Sequence, residues 1–231
     1  MTAWSDDQDL FAQARQKLFP AVIGDILDTM GFTHQFLPPH IKALRPDMVV
    51  IGRAMPVVEA DFVVDPEVAT LHNPLLSKPF GLLFRALDDL KAGEVYVASG
   101  ASPRYALWGE LMSTRARHLG AAGAVVNGPH RDTPGILALG FPTFSTGGYA
   151  QDQGVRGKVV DWRVTIEVEG VRVRPGDLVF GDLDGVLVVP QEAETEALRR
   201  AFEKVETEDQ VRLAIQAGMS TADAFEKFGV M

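Results

Sequence analysis

Residues 108–133 read WGELMSTRARHLGAAGAVVNGPHRDT, and their pattern decides the fold. A helix starts near Glu110, Gly120 turns it, Ala124 to Val126 form an apolar strand, and a polar loop ends in Arg131-Asp132. Met112, Ala116 and Leu119 recur at i, i+4 and i+7, the stripe that ties one helix face to a core, and glycine is an ordinary helix stop. A helix of about ten residues rising ~1.5 Å each and a returning strand of about five at ~3.3 Å each cover nearly equal distances in opposite directions. The spacing predicts that Glu110, Arg131 and Asp132 meet at one end of a layer.

Toward the N-terminus, Ser5 and Gln8 are spaced as a capping box, with Leu10, Ala14 and Leu18 on one helix face. A second helix is predicted over Ala21 to Met30, after Pro20 and before Gly31. Asp25 within it reads as a solvated carboxylate. Residues 34–47 read as extended or looped, and Met48 to Val58, MVVIGRAMPVV, is β-rich, with Gly52 marking a bulge or a close backbone approach. Glu59 to Phe80 holds Pro66, Pro74 and Pro79 among apolar residues and reads as a lid or a subunit contact. Gly81 to Leu90 is a short helix, and Val95 to Ala98 a buried strand.

Toward the C-terminus, VVDWRVTIEV (Val159 to Val168) alternates as one half-exposed strand, and Gly170 turns the chain into VRVRPGDLVFGDLDGVLVVP. Pro175-Gly176-Asp177 and Asp184-Gly185 divide that run into short strands. Gln191 to Ala217 is a charged helix with Leu198, Phe202 and Val205 on one face, and Ser220 with Asp223 can cap a last one. Helix and strand alternate through the first two thirds, so the fold class is α/β: one layered domain over residues 1–190, with a helical extension, residues 191–231, packed on it or on a neighbouring subunit.

Composition narrows the function. With 231 residues, 46% of them hydrophobic, the chain can bury a substantial core. No apolar run reaches membrane-spanning length and the N-terminus is acidic and polar, so a cytoplasmic protein is expected. The absence of cysteine removes thiolate metal sites and thiol nucleophiles. A formal charge of −9 argues against a nucleic-acid partner. Small anionic substrates stay open, because an arginine and a bound cation reverse the sign locally.

Chemistry concentrates in the opening stretch. Gly109 and Glu110 begin a helix, so the backbone N–H groups of Leu111 and Met112 face outward at the positive end of its dipole and favour an anion. Arg131 can clamp a carboxylate through two parallel hydrogen bonds. Asp132 offers a hard oxygen ligand of the sort that holds magnesium together with substrate oxygens and water. Taken singly, a first-turn glutamate serves the helix dipole and a loop Arg-Asp is a solvated pair; brought together they point to a site.

The pattern G-E-(x20)-R-D at Gly109, Glu110, Arg131 and Asp132 resembles the signature of the RraA-like family, whose catalytic members are divalent-metal-dependent 4-hydroxy-4-methyl-2-oxoglutarate (HMG/CHA) aldolases. VVIGRAMPV (49–57) and VRVRPGDLVFGDLDGVLVVP (171–190) resemble strands of the same family. The resemblance implies a β/β/α layered, swivelling-domain-like fold and a homotrimer or homohexamer with interfacial active sites. It also implies cleavage of 2-oxo acids to pyruvate, with oxaloacetate decarboxylation as a side activity. Carried onto this chain, Asp132 ligates Mg²⁺ or Mn²⁺, and Arg131 grips the pyruvyl oxygens. Glu110 orients a water for proton transfer, and the amides of Leu111 and Met112 hold the carboxylate. The family also contains non-catalytic members that bind a ribonuclease complex, and another 2-oxo-acid lyase is a further alternative.

His130 beside the pair reads as an acid–base group or a supporting contact, and more simply as neither. The five histidines lack zinc spacing. Asp177, Asp182 and Asp184 read as turn formers, and Gly147-Gly148 matches neither a phosphate-binding loop nor a dinucleotide fingerprint.

Overall fold

A computed structural model of the chain describes residues 4–62, 74 and 77–230. In its first half the elements are α1 (Asp7–Lys17), α2 (Pro20–Thr29), β1 (Lys42–Ala43), β2 (Val50–Asp61), α3 (Leu83–Asp88), β3 (Glu94–Ser99), α4 (Glu110–His118) and β4 (Gly123–Val126). Then follow α5 (Thr133–Leu139), β5 (Thr143–Ser145), β6 (Gly157–Trp162), β7 (Ile166–Val168), β8 (Val171–Val173), β9 (Leu178–Gly181), β10 (Val186–Val189), α6 (Gln191–Gln216) and α7 (Thr221–Phe228).

The β-rich MVVIGRAMPVV becomes β2, the spine of the main sheet, whose order is β1-β5-β4-β3-β2-β9-β10 with β6 also on β2. Strands β2, β3, β4 and β5 run parallel. The twelve residues of β2 serve two antiparallel partners on its other edge, β9 along Val50–Arg53 and β6 along Val57–Asp61.

Alternation along the strands sorts side chains onto two faces. Met55, Val57, Tyr96, Ala98, Ala124 and Val126 meet α3 and α4 through Leu83, Ala86, Leu87 and Ala116. Ala54, Val95, Val97 and Val125 meet Ile166, Val168, Val171 and Val173 of the β7–β8 hairpin. Hairpin, main sheet and helices thus stack as a β/β/α domain. A third cluster joins α1, α2 and the first half of α6 to Phe180 and Leu187, and the Arg53 guanidinium locks it by pairing with Asp7 of α1 and Glu194 of α6. Each fully buried Val, Leu, Ile or Phe stabilises such packing by roughly 1.5–3 kcal/mol. Among the described residues no helix is long and apolar enough to cross a membrane.

Several expectations shift. The cap of α1 is Asp6 rather than Ser5: its carboxylate accepts from Asp9 N–H, and Ser5 N–H in turn donates to the Asp9 carboxylate. VVDWRVTIEV is two strands, because Arg163 turns the backbone at φ 56° while its guanidinium donates to Glu94 and to the Asp89 carbonyl. The predicted lid or subunit contact lies largely outside the described residues. Its first residues, Glu59 to Asp61, belong to β2.

Gly52 marks a close approach, and the bulge of β2 falls instead between Val58 and Glu59. A Cβ at Gly52 would stand 2.4 Å from the Gly93 carbonyl oxygen. Gly52→Ala is therefore expected to cost about 1–3 kcal/mol of stability, read as a lower denaturation midpoint; an unchanged midpoint would show that the β2 contact yields freely.

Candidate active site

Parallel strands β3, β4 and β5 end on the same edge of the sheet, the edge where open α/β sheets bind ligands. The chain that leaves them is knitted together there by backbone hydrogen bonds. Leu107 N–H donates to the Pro129 carbonyl at 2.8 Å and Arg131 N–H to the Trp108 carbonyl at 2.9 Å. On the other side His130 N–H donates to the Gly147 carbonyl at 2.9 Å, and Tyr149 N–H to the His130 carbonyl at 2.8 Å. Gly147-Gly148 is thus an extended partner of the Arg-Asp loop. The return of the chain to its starting point, expected from helix and strand lengths, is realised through these bonds.

Between the start of α4 and this loop lies a cleft of about 270 Å³. Gly109, Leu111 and Met112 line one side, and Arg131 and Asp132 another, with Asp152 and Gln153 beside them. Gly109 permits the juxtaposition: a Cβ there would stand 2.9 Å from Asp132 Oδ2 and 3.6 Å from Arg131 Cγ. No side chain caps α4 at Gly109, which leaves the helix end to an incoming anion. Trp108 anchors the entry to the helix, its buried Nε1–H donating to Ser113 Oγ at 2.7 Å while that hydroxyl donates to the Gly109 carbonyl at 3.0 Å. Glu110 does not line the cleft. Its side chain lies along Gly135 in α5, where a Cβ would stand 2.4 Å from Glu110 Cγ.

Asp132 adopts the left-handed conformation, φ 59°, as the residue that precedes α5. Aspartate tolerates this region better than most residues, and an external clasp holds it. His130 Nε2 is 2.9 Å from Thr133 Oγ1 and its Nδ1 is 2.7 Å from Ser145 Oγ, so the ring spans Arg131-Asp132 from behind. His130 is buried, and burial lowers its pKa. It is a neutral strut, with both ring nitrogens engaged by hydroxyls.

The electrostatics favour a cation. Arg131 Nη1 is 2.8 Å from Asp152 Oδ1 and its Nε 3.7 Å from Asp132 Oδ2, so two carboxylates face one guanidinium and a negative charge remains. Among the described residues no group of three or more acidic or histidine side chains is placed to hold a metal ion. One or two carboxylates completed by substrate oxygens and water is nevertheless an ordinary donor set for Mg²⁺. Asp132, with Asp152 near it, fits that description.

Asp152, Gln153 and Glu59 join the site only through the fold, because no local spacing connects them to Arg131. Gln153 carries the cleft's hydrogen bonding into the core: its Nε2–H donates to Glu59 Oε2 at 2.5 Å. Glu59 is 1% exposed, and burial raises its pKa to about 8 against the donated hydrogen bond of Gln153. Its Oε1 and the hydroxyl of Tyr96 are buried without a partner among the described residues. At pH 7 the folded state holds a neutral acid that ionises in the unfolded chain, so folded protein binds more protons. Stability is full below about pH 4.5 and falls as pH rises through about 8. Glu59→Gln is expected to flatten that slope and raise the denaturation midpoint at pH 8 relative to wild type. Parallel pH–stability curves for the two proteins would refute an ionisable Glu59.

Fold and cleft define an α/β protein that gathers an arginine, two aspartates and an open helix start in one cleft. The Aldolase/RraA family model, RraA-like, matches residues 21–188, and the chain belongs to this family. A putative 4-hydroxy-4-methyl-2-oxoglutarate aldolase of Halalkalibacterium halodurans is 36% identical over 192 residues, 82% of this chain and 80% of that protein. Protein DlpA of Legionella pneumophila is 27% identical over 210 residues, 90% of this chain, which spans only 32% of DlpA. Among solved structures, Streptomyces coelicolor RraAS2, described as an unusual member of the RNase ES inhibitor RraA protein family, superposes with a TM-score of 0.74 at 24% identity, over 90% of this chain and 98% of that one. That last likeness is one of fold.

Proposed function

We propose that this protein is a divalent-metal-dependent carbon–carbon lyase. It cleaves 4-hydroxy-2-oxo acids of the 4-hydroxy-4-methyl-2-oxoglutarate type to pyruvate and decarboxylates oxaloacetate as a side activity. The observation that carries this reading is the meeting of Arg131 and Asp132 with the open start of α4 across Gly109. Membership of a family with aldolase-named relatives supports it.

In this reading the amides of Leu111 and Met112 seat the substrate carboxylate, and Arg131 exchanges Asp152 for the oxygens of the pyruvyl group. Negative charge that develops on the 2-oxo oxygen as the bond breaks then lies against a fixed guanidinium. Asp132, with Asp152 near it, holds Mg²⁺ or Mn²⁺, which when bound supplies Lewis-acid polarisation of the 2-oxo group. Glu110 does not line the cleft, so the part proposed for it, orienting a water for proton transfer, is an indirect one. The working form is a homotrimer or homohexamer with sites at the subunit interfaces; Leu213 on α6 and Phe225 on α7 are large exposed apolar side chains available for such contacts. The test is pyruvate release from 4-hydroxy-4-methyl-2-oxoglutarate and from oxaloacetate with Mg²⁺. Absence of turnover on both, with retention of a ribonuclease complex in a pull-down, would favour the protein-binding role instead.

A further inference from the structure

Beside its polar groups the cleft has an aromatic and aliphatic wall, to which the reading above assigns no part of the pyruvyl group. Phe80 and Phe84 meet edge to face at 5.6 Å and 60°, and Leu83, Leu107, Leu111 and Met112 continue the surface. Leu83 and Leu107 are buried and form a floor, whereas Phe84 is 60% and Leu111 78% exposed, at the mouth. Phe80 reaches this wall through an unusual backbone. Its φ is 64°, a region that bulky side chains avoid. The segment is pinned there to β6, with Val159 N–H donating to the Phe80 carbonyl and Leu82 N–H to the Val159 carbonyl. The ring rests where a Cβ on Gly154 would stand 3.2 Å away, so this glycine leaves room for it beside Asp152-Gln153. Strain of this kind persists where the surroundings impose it, and it clusters at ligand-contacting positions.

Charge makes the same point. Among the described residues that line the cleft, Arg131 is the one cationic side chain, and it already faces Asp132 and Asp152. Within one subunit, a second carboxylate on the substrate tail would meet phenyl rings and aspartates rather than a cationic side chain.

Resting on the lyase reading above, we infer that the preferred substrates carry an apolar or aromatic group at C4 rather than a second carboxylate, with Phe80 and Phe84 as the specificity-determining residues. The reaction keeps its balance for such a tail. The C4 hydroxyl loses its proton, C4 leaves as the aldehyde or ketone, and the electron pair of the broken C3–C4 bond becomes the enolate of pyruvate, which takes a proton at C3.

Two unreactive 2-oxo acids with the same head separate tail recognition from turnover: 2-oxo-4-phenylbutanoate and 2-oxoglutarate, titrated calorimetrically with Mg²⁺ present. The phenyl compound is expected to bind at least about tenfold more tightly, as burial of an aromatic side group would give. In kinetics, kcat/KM for 4-hydroxy-2-oxo-4-phenylbutanoate should exceed that for 4-hydroxy-4-methyl-2-oxoglutarate by a similar factor. Phe84→Ala should erase most of this preference, and Phe84→Arg should turn it toward the dicarboxylates; Phe84 is exposed, and circular dichroism checks that both variants fold. Tighter binding and faster cleavage of the dicarboxylates, with turnover intact, overturns the inference and leaves the lyase reading standing. Equal affinities, together with a Phe84→Ala effect on oligomer mass alone, assign the rings to a subunit contact and also overturn it. No turnover of these substrates or of oxaloacetate removes the lyase reading and this inference with it.

Discussion

Arg131→Ala is expected to lower kcat/KM for pyruvate release by on the order of 10²–10³-fold, the range for loss of one preorganised donor to a developing oxyanion, while the unfolding midpoint stays near wild type. The two halves of that expectation have different sources. Arg131 is partly exposed, and its contacts with Asp132 and Asp152 are ion pairs open to solvent, worth no more than about 1 kcal/mol to stability. Its backbone N–H, which holds the loop to Trp108, survives the substitution. What disappears is the guanidinium fork. Arg131→Lys keeps the charge but not the fork and should recover only part of the loss. A near-wild-type kcat/KM in Arg131→Ala would remove the residue from the mechanism.

Asp132→Asn is expected to abolish most metal-dependent activity and to weaken Mn²⁺ binding by at least about tenfold, because ligand charge sets affinity at such oxygen sites. Asparagine matches the shape and also tolerates the left-handed backbone at φ 59°, so the start of α5 and the His130 strut should stay in place. Isothermal titration with Mn²⁺ reads the ligand role separately from turnover. Unchanged Mn²⁺ affinity would assign the metal to other side chains.

The part of this site that could be read from the chain is the part made by neighbours in sequence. Equal reach of α4 and β4 brings Arg131 and Asp132 back to Gly109, and reach follows from residue counts alone. Likewise Ser220-Asp223 caps α7 as its spacing implies, and the Pro175-Gly176-Asp177 and Asp184-Gly185 turns divide β8, β9 and β10. What escaped was decided at long range. Asp152 and Gln153 reach the cleft on a connection between β5 and β6 that has no periodic pattern. Glu59 looks like a polar residue at a strand end until β6 and the Gly100 backbone close over it; a Cβ at Gly100 would stand 2.3 Å from the Glu59 carbonyl oxygen. The short α5 was hidden because Asp132-Thr133-Pro134-Gly135 carries turn chemistry, and only the left-handed Asp132 converts it into a helix start. Arg163 breaks a strand that its sequence neighbours would continue, because Asp89 and Glu94 capture its guanidinium from across the fold.

Dependence of carbon–carbon cleavage on a divalent cation in this cleft is the central claim. Pyruvate release from oxaloacetate and from 4-hydroxy-2-oxo acids, measured with Mg²⁺, after EDTA, and after Mg²⁺ or Mn²⁺ is restored, measures that directly. Turnover that EDTA abolishes and either cation restores is the predicted result, and turnover indifferent to EDTA, or none at all, contradicts it.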